Sequence, residues 1–174
     1  LLYLPDVPTP EVPDHPTKAQ IDYARDMISA LISDFPWNSA DDKANFVIAM
    51  LLPMLRLIVP PPWPMWLINA HMMGSGKTYL ASMLRVTHSG VQRPAPSESE
   101  EEQRKVFTTI LGSTTGTIVV FDNLMGVLRS AEFAGLLTSK IRSDRKLGTN
   151  EDITAPNDRL WVATGNNIQT GGDM

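Results

Sequence analysis

Cysteine is absent from the 174 residues. This excludes a disulfide framework and a thiolate metal site, and it fits a reducing, cytoplasmic setting. Excess basic charge is absent too: 15 Lys and Arg stand against 19 Asp and Glu, a net charge of −4. No global positive field announces nucleic acid, so any DNA contact has to come from a local patch, or from a ring of copies focusing charge on a central pore. Long apolar runs are also missing. The longest, Phe46–Val59, contains Pro53 and Arg56; a membrane span needs roughly 20 apolar residues, so this run reads as a buried helix and no membrane partner is expected. The first residues, Leu-Leu-Tyr-Leu-Pro, lack an initiator Met and a basic stretch ahead of an apolar one. No signal peptide is expected, and the chain reads as a piece of a larger protein. The histidines His15, His71 and His88 have no second His, Cys or paired acid to form a metal site with them.

What is present suits one domain with a buried core: 43% of residues are hydrophobic and 20% charged, as in ordinary globular proteins. Residues 1–16 carry five prolines and read as an extended arm. Residues 17–59 read as a helical N-terminal extension. Thr17 is the expected N-cap of a first helix, with Ile21, Ala24, Met27, Ile28 and Leu31 as its apolar stripe, ended by Asp34–Pro36. Ser39 or Asp41 caps a second, through Ala44, Val47, Ile48, Leu51 and Leu55, kinked at Pro53. Pro60–Pro64 is a rigid connector into a core over 60–174.

In that core, Met65–Asn69 reads as a buried strand and Tyr79–Val86 as a helix. Ser89–Pro96 is irregular, with room for a short strand. Ser97–Glu100 has capping-box spacing and opens a helix to about Leu111. Thr115–Phe121 is apolar and β-branched, as a central parallel strand should be; 130–141 is helical and Leu160–Ala163 another buried strand. Alternating strands and helices predict an α/β fold with a parallel sheet.

Residues 71–78, His-Met-Met-Gly-Ser-Gly-Lys-Thr, match the phosphate-loop pattern G-x-x-x-x-G-K-[ST] except that His71 replaces the first glycine. Gly74 and Gly76 let the backbone turn its N–H groups into an anion nest, and a helix starting at Lys77 adds its positive end. Lys77 is expected on the β- and γ-phosphates of ATP and the Thr78 hydroxyl on Mg²⁺, with His71, Ser75 and Tyr79 completing the nucleotide-contacting set. Thr117–Asp122 is a hydrophobic run ending in a carboxylate, about 45 residues beyond the loop. This is the Walker B arrangement, in which Asp122 orients Mg²⁺. The next residue is Asn123, where many such ATPases carry a glutamate that polarises water. Glu98 and Glu100–Glu102 offer a carboxylate from a neighbouring strand end; the alternative is a solvated helix N-terminus favoured by its dipole. Leu160–Asn167 is a strand running into a Thr-Gly-Asn-Asn turn.

The motif order, the helical lead-in and that turn resemble the ATPase domains of the additional-strand class. The likeness is greatest to AAA+ and superfamily 3 helicase-like proteins of phages and integrative elements, over roughly residues 41–174. The resemblance implies a three-layer P-loop fold, a ring of identical subunits (a hexamer) and single-stranded DNA as partner. It implies that Asn166 is the sensor 1 residue between the carboxylate and the γ-phosphate; the bland reading is a turn closed by Gly-Asn-Asn. It also implies an arginine finger and a final sheet strand beyond the sensor, which this chain is expected to lack. Such helicases carry a hairpin before the sensor strand with a basic tip, and Arg145 and Lys146, ahead of a turn at Gly148–Asn150, hold a compatible position; the alternative is a solvated loop. The rival function is a nucleotide-gated switch or assembly scaffold with little hydrolysis, for which Asn123 argues. A small-molecule kinase is disfavoured because no basic lid follows the loop's helix. Met50, Met54, Met72 and Met73 read as core filler, and Trp63 and Trp66 as packing under the N-terminal helices.

Overall fold

The computed structural model describes residues 11–113, 116–145 and 151–171. The chain divides into two compact units, Leu1–Pro36 and Trp37–Met174, so the two helices read as one extension fall in different units. In the first unit α1 spans Lys18–Leu31 and begins with a capping box: the Thr17 hydroxyl accepts from the Gln20 N–H, and the Gln20 side chain accepts from the Thr17 N–H at 2.8 Å. Its stripe is not a core face, because Ile21, Met27 and Leu31 are exposed. Of the proline-rich arm, residues 1–10 lie outside the described residues, and 11–16 form no helix or strand.

The second unit opens with α2, Ala40–Leu51, where Ser39 caps by accepting from the Asp42 N–H at 3.1 Å. The helix stops short of Pro53 instead of continuing with a kink to Leu55. Proline has no N–H for the carbonyl four residues back, and its ring crowds the turn before it. Tight turns follow, with Met54 N–H on Leu51 O and Leu55 N–H on Leu52 O, and they leave Met54, Leu57 and Ile58 in solvent. The expected buried helix over 46–59 is therefore buried only as far as Pro53, at Phe46, Ala49, Met50, Leu52 and Pro53, and exposed beyond it. Trp63 and Trp66 do pack, donating their indole N–H groups to Val59 O and Asn45 O.

The rest is an α/β arrangement in which β1 (Trp66–Ala70), α3 (Lys77–Thr87), β2 (Gly90–Pro94), α4 (Glu100–Leu111) and β3 (Ile118–Leu124) come first. They are followed by β4 (Val127–Leu128), α5 (Ala131–Thr138), β5 (Ile141–Arg145), β6 (Asp152–Pro156), β7 (Leu160–Asn166) and β8 (Gln169–Thr170). The main sheet is parallel throughout, in the order β1-β7-β3-β2. β4 pairs β8 in parallel, and β5 pairs β6 as an antiparallel hairpin. The short strand for which Ser89–Pro96 left room is β2, at the edge of the sheet; its single apolar side chain, Val91, gives no strand period. β3 starts later than read, at Ile118, and α5 is only eight residues long. The α4 capping box is not formed: Ser99 is the N-cap without a side-chain bond, and Ser97 instead accepts from the Ser99 N–H.

Side chains alternate across the central strands, so both faces of β3 and β7 are covered. On one face Val119, Phe121, Trp161 and Ala163 pack with Phe107 of α4 and Phe133 of α5, and the Phe121 and Trp161 rings stack at 5.9 Å. On the other lie Ile118, Val120, Leu160 and Val162, where α3 supplies Leu80, Ala81 and Leu84. Trp161 donates its indole N–H to Asn157 Oδ1 at 3.0 Å, so the buried aromatic cluster leaves that polar group satisfied. No described helix is long and apolar enough to cross a membrane.

The hairpin is fastened to α4 through Asp144, which accepts from the Thr108 hydroxyl at 2.8 Å and pairs with Arg104 at 3.1 Å. Burial alone would raise this carboxyl, but the Thr108 hydroxyl, the Arg145 N–H and the Arg104 and Arg142 guanidiniums outweigh it and hold it below the ordinary carboxylate range. A depressed folded value means that the stabilisation is present above the unfolded value near 4 and is lost as pH falls through the folded one. Urea midpoints of wild type and Asp144→Asn should therefore differ most near neutrality and converge in acid below about pH 4. A Cβ on Gly165 would lie 2.4 Å from Leu124 O, a backbone atom that cannot swing away. Gly165→Ala is expected to destabilise by about 1–3 kcal/mol in the same assay.

Candidate functional site

Because β1, β2, β3 and β7 are parallel, their C-terminal ends meet along one edge of the sheet, the place where open α/β sheets keep their ligand crevice. The loop from β1 to α3 runs along that edge. Gly74 and Gly76 have φ of 74° and 81°, the left-handed region that glycine enters without strain. A Cβ on Gly74 would meet nothing within 4 Å, so the backbone angle and not crowding demands glycine there. Gly76 is the N-cap of α3 and gives it no side-chain cap. The first-turn N–H groups of α3 therefore remain available to an anion.

The Lys77 ammonium donates to Met72 O at 3.0 Å, Ser75 Oγ at 3.0 Å and Asn166 Oδ1 at 2.8 Å. One residue on, the Thr78 hydroxyl donates to Asp122 Oδ1 at 3.2 Å. Residues 89 apart in one case and 44 in the other are thus in direct contact. His71 Nδ1 lies 2.7 Å from Asn167 Oδ1. Tyr79 is exposed on the first turn of α3. Met72 and Met73 are exposed on the loop, and Met54 is exposed as well, so of the four methionines read as core filler only Met50 is buried. An exposed loop at the sheet edge has no core to offer Met72 and Met73.

Two side chains that the sequence left without a role hold Asp122. Thr164, in the middle of the sheet and 1% exposed, donates its hydroxyl to Asp122 Oδ1 at 2.5 Å and accepts the Asn123 N–H at 3.0 Å. Gln92 of β2 donates its amide to Asp122 Oδ2 at 2.8 Å, while Arg85 of α3 donates to the Gln92 oxygen. Arginine can only donate and a carboxylate can only accept, which fixes the orientation of the Gln92 amide between them. A hydroxyl closing the apolar run 160–163 was a readable signal for Thr164; Gln92, in a stretch without period, had none.

Asn123 follows Asp122 at φ 60°, where the β3–β7 ladder slips: Phe121 opposes Ala163, but Leu124 opposes Gly165. Three residues of β3 span what two of β7 do, a bulge that turns the Asp122–Asn123 pair out of the pleat. The left-handed angle suits asparagine better than glutamate. The acidic start of α4 is engaged elsewhere: Glu100 accepts from the Ala131 N–H at 3.2 Å, and Glu101 and Glu102 each pair with Lys105 at 2.8 Å. Among the described residues no three His, Cys, Asp or Glu side chains cluster to hold a metal.

Away from this edge, Arg145 is exposed at the end of β5, opposite Asp152 of β6. Lys146 and the turn expected at Gly148–Asn150 lie outside the described residues. Chemically, the edge brings an ammonium, a hydroxyl, a carboxylate and a carboxamide around an uncapped helix start, a set suited to a polyanion with a small hard cation. No protein-family model, curated protein or solved structure matches the chain.

Replacing Thr164 with valine keeps the shape but strips a bond from Asp122 and leaves the Asn123 N–H without its acceptor. Thr164→Val is expected to lower unfolding free energy by about 1–3 kcal/mol, read from urea denaturation at neutral pH.

Proposed function

We propose that the chain is the MgATP-binding core of a P-loop ATPase of the additional-strand, AAA+/superfamily 3 helicase-like kind. Its task in this reading is that of a motor subunit in a homo-oligomeric ring, a hexamer, that translocates on single-stranded DNA during mobile-element replication. The observation that carries the reading is the contact of Lys77 with Asn166 at 2.8 Å, which brings the two sequence motifs together. The strand order adds support, since β7, which carries Asn166, runs between the strand before the phosphate loop and the strand that bears Asp122.

In this mechanism the loop N–H groups and the α3 N-terminus bind the phosphates, and Lys77 leaves Asn166 and Ser75 for the β- and γ-oxygens. Thr78 and Asp122 would hold Mg²⁺. Their oxygens already lie within 3.2 Å of each other, and Mg²⁺ is typically held by one or two protein oxygens together with phosphate and water. The ion supplies charge neutralisation of the triphosphate. Gln92 and Thr164 hold the Asp122 carboxylate in orientation. Asn166, freed from Lys77, faces the γ-phosphate and orients the attacking water.

A second reading, a nucleotide-gated switch or assembly scaffold with little hydrolysis, is favoured by Asn123. No glutamate follows Asp122, and the α4 carboxylates Glu100–Glu102 are engaged with Ala131 and Lys105.

A fluorescent ATP analogue titrated with Mg²⁺ should bind wild type and lose about tenfold or more in affinity to Lys77→Ala. Phosphate release that rises with single-stranded DNA supports the motor; tight binding without release in any condition supports the switch. Failure of the wild type to bind would refute both. Arg145→Ala combined with Lys146→Ala should weaken single-strand binding at low salt and reduce its salt slope by about two phosphate contacts.

A further inference from the structure

Resting on that reading of Asn166 as the residue beside the γ-phosphate, we propose that His71 and Asn167 form a latch that positions Asn166 and thereby sets the preference of the site for a nucleoside triphosphate over a diphosphate. His71 stands where the phosphate-loop pattern has glycine, and its Nδ1 lies 2.7 Å from Asn167 Oδ1. An amide oxygen only accepts, so the ring carries its proton on Nδ1. Asn167 directly follows Asn166 and has φ 53°, a left-handed angle that asparagine tolerates.

Around this contact the turn after β7 is joined to the end of β1. The Asn167 N–H donates to Ala70 O at 3.3 Å. The Asn69 side chain donates to Ile168 O at 3.2 Å and accepts from the Ile168 N–H at 3.0 Å, continuing the β1–β7 pairing with an amide in place of backbone. Gly165 lets Ile168 fold back, since a Cβ there would fall 2.5 Å from Ile168 Cδ1. Asn166 is therefore fixed from behind by its neighbours, while its own oxygen meets Lys77 at 2.8 Å. The first residue of the phosphate loop and the residue beside Asn166 move as one piece. A loop that adjusts to a γ-phosphate carries Asn166 with it, and a loop holding only a diphosphate leaves Asn166 on Lys77. His71 and Asn167 are positioning residues in this arrangement.

The test measures equilibrium affinities for ADP and for a non-hydrolysable ATP analogue, both with Mg²⁺, so the result does not depend on turnover. Wild type is expected to prefer the triphosphate. Asn167→Gly keeps the left-handed backbone but deletes the acceptor, and should reduce that preference about fivefold through weaker triphosphate binding. His71→Gly should reproduce the loss, and the double variant His71→Gly, Asn167→Gly should add nothing, because both remove the same contact. A merely structural role would weaken both nucleotides together. An unchanged preference in Asn167→Gly, a parallel loss for ADP, or a wild type that binds both nucleotides equally overturns the latch while leaving the phosphate loop standing. A wild type that binds neither nucleotide overturns the phosphate-loop reading, and the latch with it.

Discussion

The constraint on which the site depends is the placement of β7 between β1 and β3. From there one strand reaches both neighbours. Thr164 reaches sideways to Asp122 on β3, Asn166 meets Lys77 at the start of α3, and Asn167, just past the strand, reaches His71 at the start of the loop. Move β7 to an edge, and the ammonium, the carboxylate and the carboxamide no longer converge. The close approach needs Gly165, which lets the β3 backbone at Leu124 come within a distance that any side chain would block.

Around Asp122 three side chains donate to the carboxylate: Thr78 and Thr164 to one oxygen, Gln92 to the other. Donors aimed at both oxygens fix the plane of the group. Gln92 is itself oriented by Arg85, whose stem crosses the start of β2 at Gly90, where a Cβ would lie 2.7 Å from Arg85 Cγ. The carboxylate is thus preorganised by the two strands that flank β3 and by one helix. Such preorganisation lets a binding site act without rearranging its own dipoles.

The bulge at Asn123 links fold to chemistry in a different way. The ladder slip between Phe121 and Leu124 requires a residue at φ 60°, and asparagine adopts that angle at little strain. The residue after Asp122 is therefore constrained by the backbone. The same bulge presents the Asn123 N–H to Thr164, so that the strand end is held although its ladder is broken.

The sequence by itself determined the parts whose cause is local. Gly74 and Gly76 meet a demand for left-handed angles, Thr17 and Ser39 cap their helices through side-chain oxygens, and the unbroken apolar runs at 118–121 and 160–163 become strands covered on both faces. The spacing of Lys77, Asp122 and Asn166 was legible as three separate signals. Only the tertiary structure decided what those signals touch. It made β2 a strand despite its lack of period, because backbone pairing with β3 outweighs a weak side-chain pattern. It ended α2 before Pro53, left the α1 stripe exposed and directed Glu100–Glu102 to Ala131 and Lys105. It also brought Thr164, Gln92 and Asn167 to the site, since a hydrogen bond between residues about 40 or 100 positions apart is fixed by strand order and register, which no local pattern records.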